Sequence, residues 1–357
     1  MTQPTIVGAR WTLVGCARVL VGSVMLVTAA CGPALTPSAA PPSLSPGATA
    51  AASTPSRSIR HEGRGDVPYT TGTPIGLDNL TGTILFDDFE NLYSMAADGS
   101  DVRGLTRGDG PEFDGAWSPD GQSIAYRDSR RGMNVDDEIY VAAADGSNAR
   151  NLTDDPANDW GPDWSPDGQW VVFNSDRDGG VLAAFVVRPD GSGLRKLPID
   201  GWVEYPSFSP DGTRIAYMGH AEADYDIFVA EIATGRSVRL TTAPGSDGWP
   251  VWSPDGSLIA FSSERDDCSR AAADQDCWRT GEPGDHRDPW VMSSDGSNQR
   301  RITPEHGQFL AWSPDGRYLL ASGQGLYAVR LDGTGRTAIR PDNGVFGGGI
   351  PDWIERK

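Results

Sequence analysis

The pentapeptide Trp-Ser-Pro-Asp-Gly stands at residues 117–121, 164–168, 252–256 and 312–316, and a fifth copy at 208–212 differs only in having Phe208 for the Trp. Repetition at this density marks a chain built from one supersecondary unit, and it constrains the fold more than composition does. Each part of the motif has a local role. Proline presets φ for a turn, aspartate bonds back to nearby amides, and glycine supplies positive φ. The aromatic ends the preceding strand and offers a large apolar wedge to a neighbouring sheet.

A strand follows each copy at a fixed offset: Ile124-Ala125-Tyr126, Val171-Val172-Phe173, Ile215-Ala216-Tyr217, Ile259-Ala260-Phe261 and Leu319-Leu320-Ala321. A second apolar segment comes next, such as Ile139-Tyr140-Val141 or Ile227-Phe228-Val229. Tight turns follow at Asp145-Gly146, Asp190-Gly191, Thr234-Gly235, Asp295-Gly296 and Asp332-Gly333, and then a short last strand. Helix signals are absent after residue 80. Four short strands per unit, repeated about every 45 residues, predict an all-β fold made of the blades of a β-propeller.

The count predicts how the ring shuts. Pro351-Asp352-Trp353 echoes Pro162-Asp163-Trp164 close to the end of the chain, while residues 82–106 supply three strands with no leading Trp. The two fragments complement each other. The expected fold is a six-bladed β-propeller of four-stranded blades, with the C-terminal strand completing the first blade and removing the open sheet edges. The repeat resembles the TolB-type propeller family, whose hallmark is this pentapeptide followed by an Ile-Ala-Phe-like strand and a later Leu-Thr. The resemblance covers about residues 80–354 and implies the propeller fold. TolB itself carries an N-terminal α/β domain, and none is expected here, so its role in envelope complexes is not carried over.

The first residues read as an address. Residues 1–30 hold Arg10 and Arg18, no acid, and a short apolar run, which is the pattern of a secretory signal peptide. Cys31 directly follows Ala29-Ala30, as in a bacterial lipobox, although Thr28 stands where such boxes carry an aliphatic residue. Lipidation of Cys31 is the expectation, with ordinary cleavage nearby as the alternative. Residues 31–78 are rich in Ala, Pro, Ser, Thr and Gly, show no apolar period, and read as a flexible tether. The propeller is assigned to 79–357. Export would place the protein on the outer face of the cytoplasmic membrane or in the periplasm or cell envelope. Cys268 and Cys277, nine residues apart in a long insertion of the fifth unit, then read as a local disulfide.

The formal net charge of −19 argues against nucleic acid as a partner and against contact with an anionic membrane by any means but a lipid anchor. The leading functional expectation is a binding or interaction module for an envelope protein or small ligand. Its candidate face comprises Trp160, Trp202, Tyr205, Trp249, Trp278 and Phe309, which fall in the segments leading into blades and in the insertion. Such aromatics either ring a central mouth and stack on a ligand or pack between blades. The alternative is a propeller enzyme, a carbohydrate or peptide lyase or hydrolase, using carboxylates or a His-bound metal. Weak metal candidates are His220, His286 and His306, together with Asp176 and Asp178 in a partial calcium-loop pattern that lacks the first Asp and the terminal Glu. No Gly-x-Ser-x-Gly is present, no catalytic residue is assigned and no cofactor is expected.

Overall fold

A computed structural model describes residues 72–355 except 109, 133, 222–223, 266–286, 324 and 346. The signal segment, Cys31, most of the tether, Cys268, Cys277, Trp278 and His286 lie outside the described residues.

Six antiparallel sheets, each of four strands, make the ring. In the second blade the strands run Glu112–Trp117, Ser123–Asp128, Glu138–Ala143 and Arg150–Asn151, from the axis outward. The third to sixth blades repeat that order, beginning with inner strands Asp159–Trp164, Glu204–Phe208, Asp247–Trp252 and Phe309–Trp312. The first blade is completed by Asp352–Ile354, which pairs antiparallel with Thr83–Asp87 through Thr83↔Ile354, Ile84↔Trp353 and Leu85↔Asp352. The expected closure by the C-terminal strand is therefore what the chain does.

The pentapeptide makes the same turn five times. In each, the Ser hydroxyl donates to the Asp carboxylate two residues on, at 2.6–2.7 Å. The same Ser oxygen accepts the amide five residues on, which pins the first pair of strands. The aromatic before it is an inter-blade wedge. Trp164 Nε1 donates to the Ala116 carbonyl of the preceding blade at 3.2 Å, and Trp312 Nε1 to that of Val251 at 3.1 Å. Among the described residues the buried apolar side chains form six clusters, each shared by two consecutive blades. Strand side chains alternate between faces, so each sheet buries one face against each neighbour and the ring has no single central core.

The folded unit starts earlier than residue 79. Ile75 is buried, its amide donates to the Gly335 carbonyl at 2.9 Å, and its carbonyl accepts the Thr337 hydroxyl at 2.9 Å. Residues 72–78 thus run along the sixth blade instead of belonging to the tether. One buried isoleucine in Thr73-Pro74-Ile75-Gly76 carries this docking, and a single apolar residue leaves no period to read.

Candidate functional site

Loops between second and third strands and the segments leading into each blade gather at one end of the ring, as the topology requires. Asp176 accepts both the backbone amide and the side-chain amide of Asn158, at 2.9 and 3.0 Å, and so ties two such segments together. Asp178 pairs with Lys196 at 3.0 Å. Between them, Arg177 joins Asp159 at 2.6 Å and Asp155 at 2.8 Å while lying over the Phe173 and Phe185 rings. The loop with the partial calcium pattern is thus occupied by internal contacts.

Under this end runs an axial channel of about 270 Å³, walled by the inner strands of the blades. Its shape depends on a bulge repeated in four blades. The register between first and second strands shifts between Phe113 and Ala116, Trp160 and Asp163, Glu204 and Ser207, and Gly248 and Val251. Within each shift one residue takes positive φ: Asp114 (54°), Gly161 (63°), Tyr205 (46°) and Trp249 (51°). A bulge bends the strand and re-aims a side chain. Left-handed φ suits glycine and is strained for a bulky aromatic. At 161 the glycine has a further purpose, because a Cβ there would stand 3.0 Å from the Tyr205 ring.

The aromatics predicted to ring the mouth separate into three groups. Tyr205, Trp249 and Phe309 form one contact series on the channel wall, with ring centroids 5.6 and 5.1 Å apart. The Arg287 guanidinium lies over Trp249 at 4.7 Å and pairs with Glu264 at 2.6 Å. Trp160 is covered by Arg127, whose guanidinium sits 5.7 Å from its ring and is held by Asp137 at 2.5 Å. Trp202 donates to Glu204 at 2.5 Å and meets His220 edge-on at 5.1 Å, and Tyr225 also packs against that histidine at 4.2 Å. The His306 carbonyl accepts the Tyr327 hydroxyl at 3.3 Å. Among the described residues no group of three His, Cys, Asp or Glu is placed to hold a metal ion.

The carboxylates of the channel were not singled out from the sequence. Asp163 Oδ2 accepts the Phe208 amide of the next blade at 2.7 Å, and Oδ1 accepts the Trp164 amide at 2.8 Å. Asp352 repeats this with the amides of Trp117 and Trp353, both at 2.7 Å. Burial pushes Asp163 up to about 7, the Phe208 amide opposes the rise, and the Asp352 charge adds to it. Burial raises Asp352 and Asp114 as well, with Arg127 opposing the rise at Asp114. The Pro-Asp-Trp echo at 162–164 and 351–353 was the available signal.

A raised folded-state value means that the folded protein binds this proton more tightly than the unfolded chain. The stability due to the Asp163 proton is complete below the ordinary value of 3.8 and is lost as pH rises through about 7. Asp163→Asn removes that titration. The melting temperature of the variant, relative to wild type, should therefore climb steadily from pH 4 to pH 7, the window those two values bound. A constant difference across that range would show that Asp163 does not titrate there.

The comparisons with known proteins bear on this geometry. No family model matches the chain. A TolB homologue of Chlorobium luteolum is 27% identical over 155 residues, covering 42% of this chain and 33% of that protein, so the chain spans a third of its relative's length. The structure of TolB from Acinetobacter baumannii superposes with a TM-score of 0.62 at 18% identity, over 77% of this chain and 67% of that one. The propeller is TolB-like. A TolB structure from Agrobacterium tumefaciens agrees, with a TM-score of 0.58 and 20% identity over 76% of this chain and 91% of that one. The TolB-like propeller also shares its fold, at 10% identity and a TM-score of 0.59, with a chain of a nidogen–laminin complex, over 77% of this chain and all of that one.

Proposed function

We propose that the chain is an exported interaction module that holds a protein partner at the loop end of its TolB-like propeller. The observation that carries the reading is the pair of bulky aromatics, Tyr205 and Trp249, held at positive φ on the channel wall. Each such conformation costs on the order of 1–3 kcal/mol, and strain of this kind concentrates where side chains are presented for recognition. Tyr and Trp are also the side chains that most often dominate binding energy at interfaces. The likeness to TolB-type propellers is in keeping with an interaction role.

Trp249→Ala should lower recovery of a crosslinked envelope partner by about tenfold or more, as expected of an interface anchor. Its melting temperature would be followed in parallel. Full recovery from a folded variant would reject the site.

The signal pattern at 1–30 and the Ala29-Ala30-Cys31 sequence support anchoring through a lipid on Cys31. That address would also place Cys268 and Cys277 in an oxidising compartment, which supports a disulfide between them. Cys31→Ser should move the protein from the membrane fraction to the soluble fraction, and retention in the membrane fraction would reject the anchor.

A further inference from the structure

We propose that the axial channel receives an organic cation on an apolar stem, an ammonium or guanidinium of the kind a lysine or arginine side chain presents. The proposal rests on the reading of the propeller as an interaction module and names the group that the partner would insert.

The channel has two unlike walls. The first three blades contribute Asp352, Asp114 and Asp163, and the last three contribute Tyr205, Trp249 and Phe309. The acidic half repels anions. A purely apolar ligand would desolvate the carboxylates further and leave them uncompensated, which is costly. A cation with an alkyl stem satisfies both sides at once. Its head meets carboxylates, and its stem lies along aromatic rings whose faces also attract positive charge. A volume of about 270 Å³ falls below the usual range for drug-sized ligands, and it suits a single side chain or a small amine.

The carboxylates retain acceptor capacity. Each oxygen of Asp163 and Asp352 accepts one backbone amide, the Ser207 side chain also bonds to Asp163, and a carboxylate oxygen can accept two hydrogen bonds, so each carboxylate keeps at least one free position. Asp114 adds an independent sign. It is 8% exposed, it lines the channel, and its Oδ2 has no hydrogen-bond partner in the protein. Its nearest cation, Arg127 Nη1, stands 3.9 Å away at the limit of an ion pair, and the same guanidinium also pairs with Asp137 at 2.5 Å. Arg287 is likewise engaged with Glu264.

The competing explanation is that Asp163 and Asp352 only staple the inner strands of adjacent blades. Direct titration separates the two. The full chain in detergent would be titrated with n-butylammonium and n-butylguanidinium, followed by calorimetry and tryptophan fluorescence, with n-pentanol and valerate as neutral and anionic counterparts. Saturable binding of the cations alone is expected. Asp163→Asn and Asp352→Asn, each checked for folding, should weaken it by about tenfold, the loss expected for one charge-assisted hydrogen bond. Tighter binding of the peptide Gly-Gly-Lys-Gly-Gly than of butylammonium would assign the cation to a partner protein, and equal binding would assign it to a free amine. Absence of saturable binding by the folded wild type, unchanged affinity in both variants, or binding of calcium without binding of either organic cation would overturn the proposal. If Trp249→Ala still abolishes partner recovery in that event, the interaction reading stands without the cation.

Discussion

Trp353→Ala should destabilise the protein by about 3–5 kcal/mol, the usual cost of truncating a buried tryptophan. The side chain is 4% exposed and belongs to the cluster shared by the sixth and first blades. Its Nε1 donates to the Thr81 carbonyl at 2.8 Å. Its strand holds the first blade through three paired residues, and those pairs close residues 83–354 into a ring. Trp312 supplies the control. It is similarly buried, and its indole also donates to a backbone carbonyl, that of Val251 in the preceding blade, but its blade is continuous in sequence. Both substitutions should lower the urea midpoint. Only Trp353→Ala should also open residues 82–106 to protease under native conditions, because that blade loses its inner strand and regains a free edge. Identical protease patterns for the two variants would mean that the C-terminal strand does not hold the ring. A stability loss under about 1 kcal/mol would place Trp353 outside the packed core.

The blade architecture was legible because turns are local. The Ser, Asp and Gly of each pentapeptide contact one another within a few residues, so their geometry is written in adjacent letters. Closure was legible because Pro351-Asp352-Trp353 repeats a motif whose remaining strands occur at the other end. The channel was not legible for two physical reasons. A bulge adds one residue to a strand without a distinctive composition, so nothing in Glu204-Tyr205-Pro206-Ser207 announces that Tyr205 turns left-handed toward the axis. The acid in Pro-Asp-Trp looks like any other aspartate in a chain with 49 acidic residues until the ring brings residues 163 and 352 into range of each other. The aromatic candidates show the same limit. Trp160 and Trp249 occupy comparable segments and each has an arginine over its ring, Arg127 and Arg287, but of the two Trp249 joins the channel wall. Pairings between distant residues decided that outcome.

The second large effect concerns the outer hairpins. Asp190-Gly191 and Thr234-Gly235 lie in the turns joining the third and fourth strands of consecutive blades, the second turn one residue longer, and both glycines hold left-handed φ, 83° and 73°. Replacing either by alanine incurs about 1–2 kcal/mol for that conformation. Part of this is offset by the reduced freedom of the unfolded chain, about 0.4–1 kcal/mol. The surroundings differ. A Cβ at 191 would meet nothing within 4 Å, whereas one at 235 would overlap the Pro198 carbonyl oxygen of the preceding blade. That oxygen is backbone and cannot swing aside like the end of a flexible side chain, so Gly235→Ala must push two blades apart. Gly191→Ala should therefore cost about 1 kcal/mol or less, and Gly235→Ala a further 1–3 kcal/mol or so from overpacking. Urea unfolding of the two variants measures the difference directly. Equal losses would mean that the fourth blade does not press its outer turn against the third, and that the inter-blade clusters alone set the spacing of the ring.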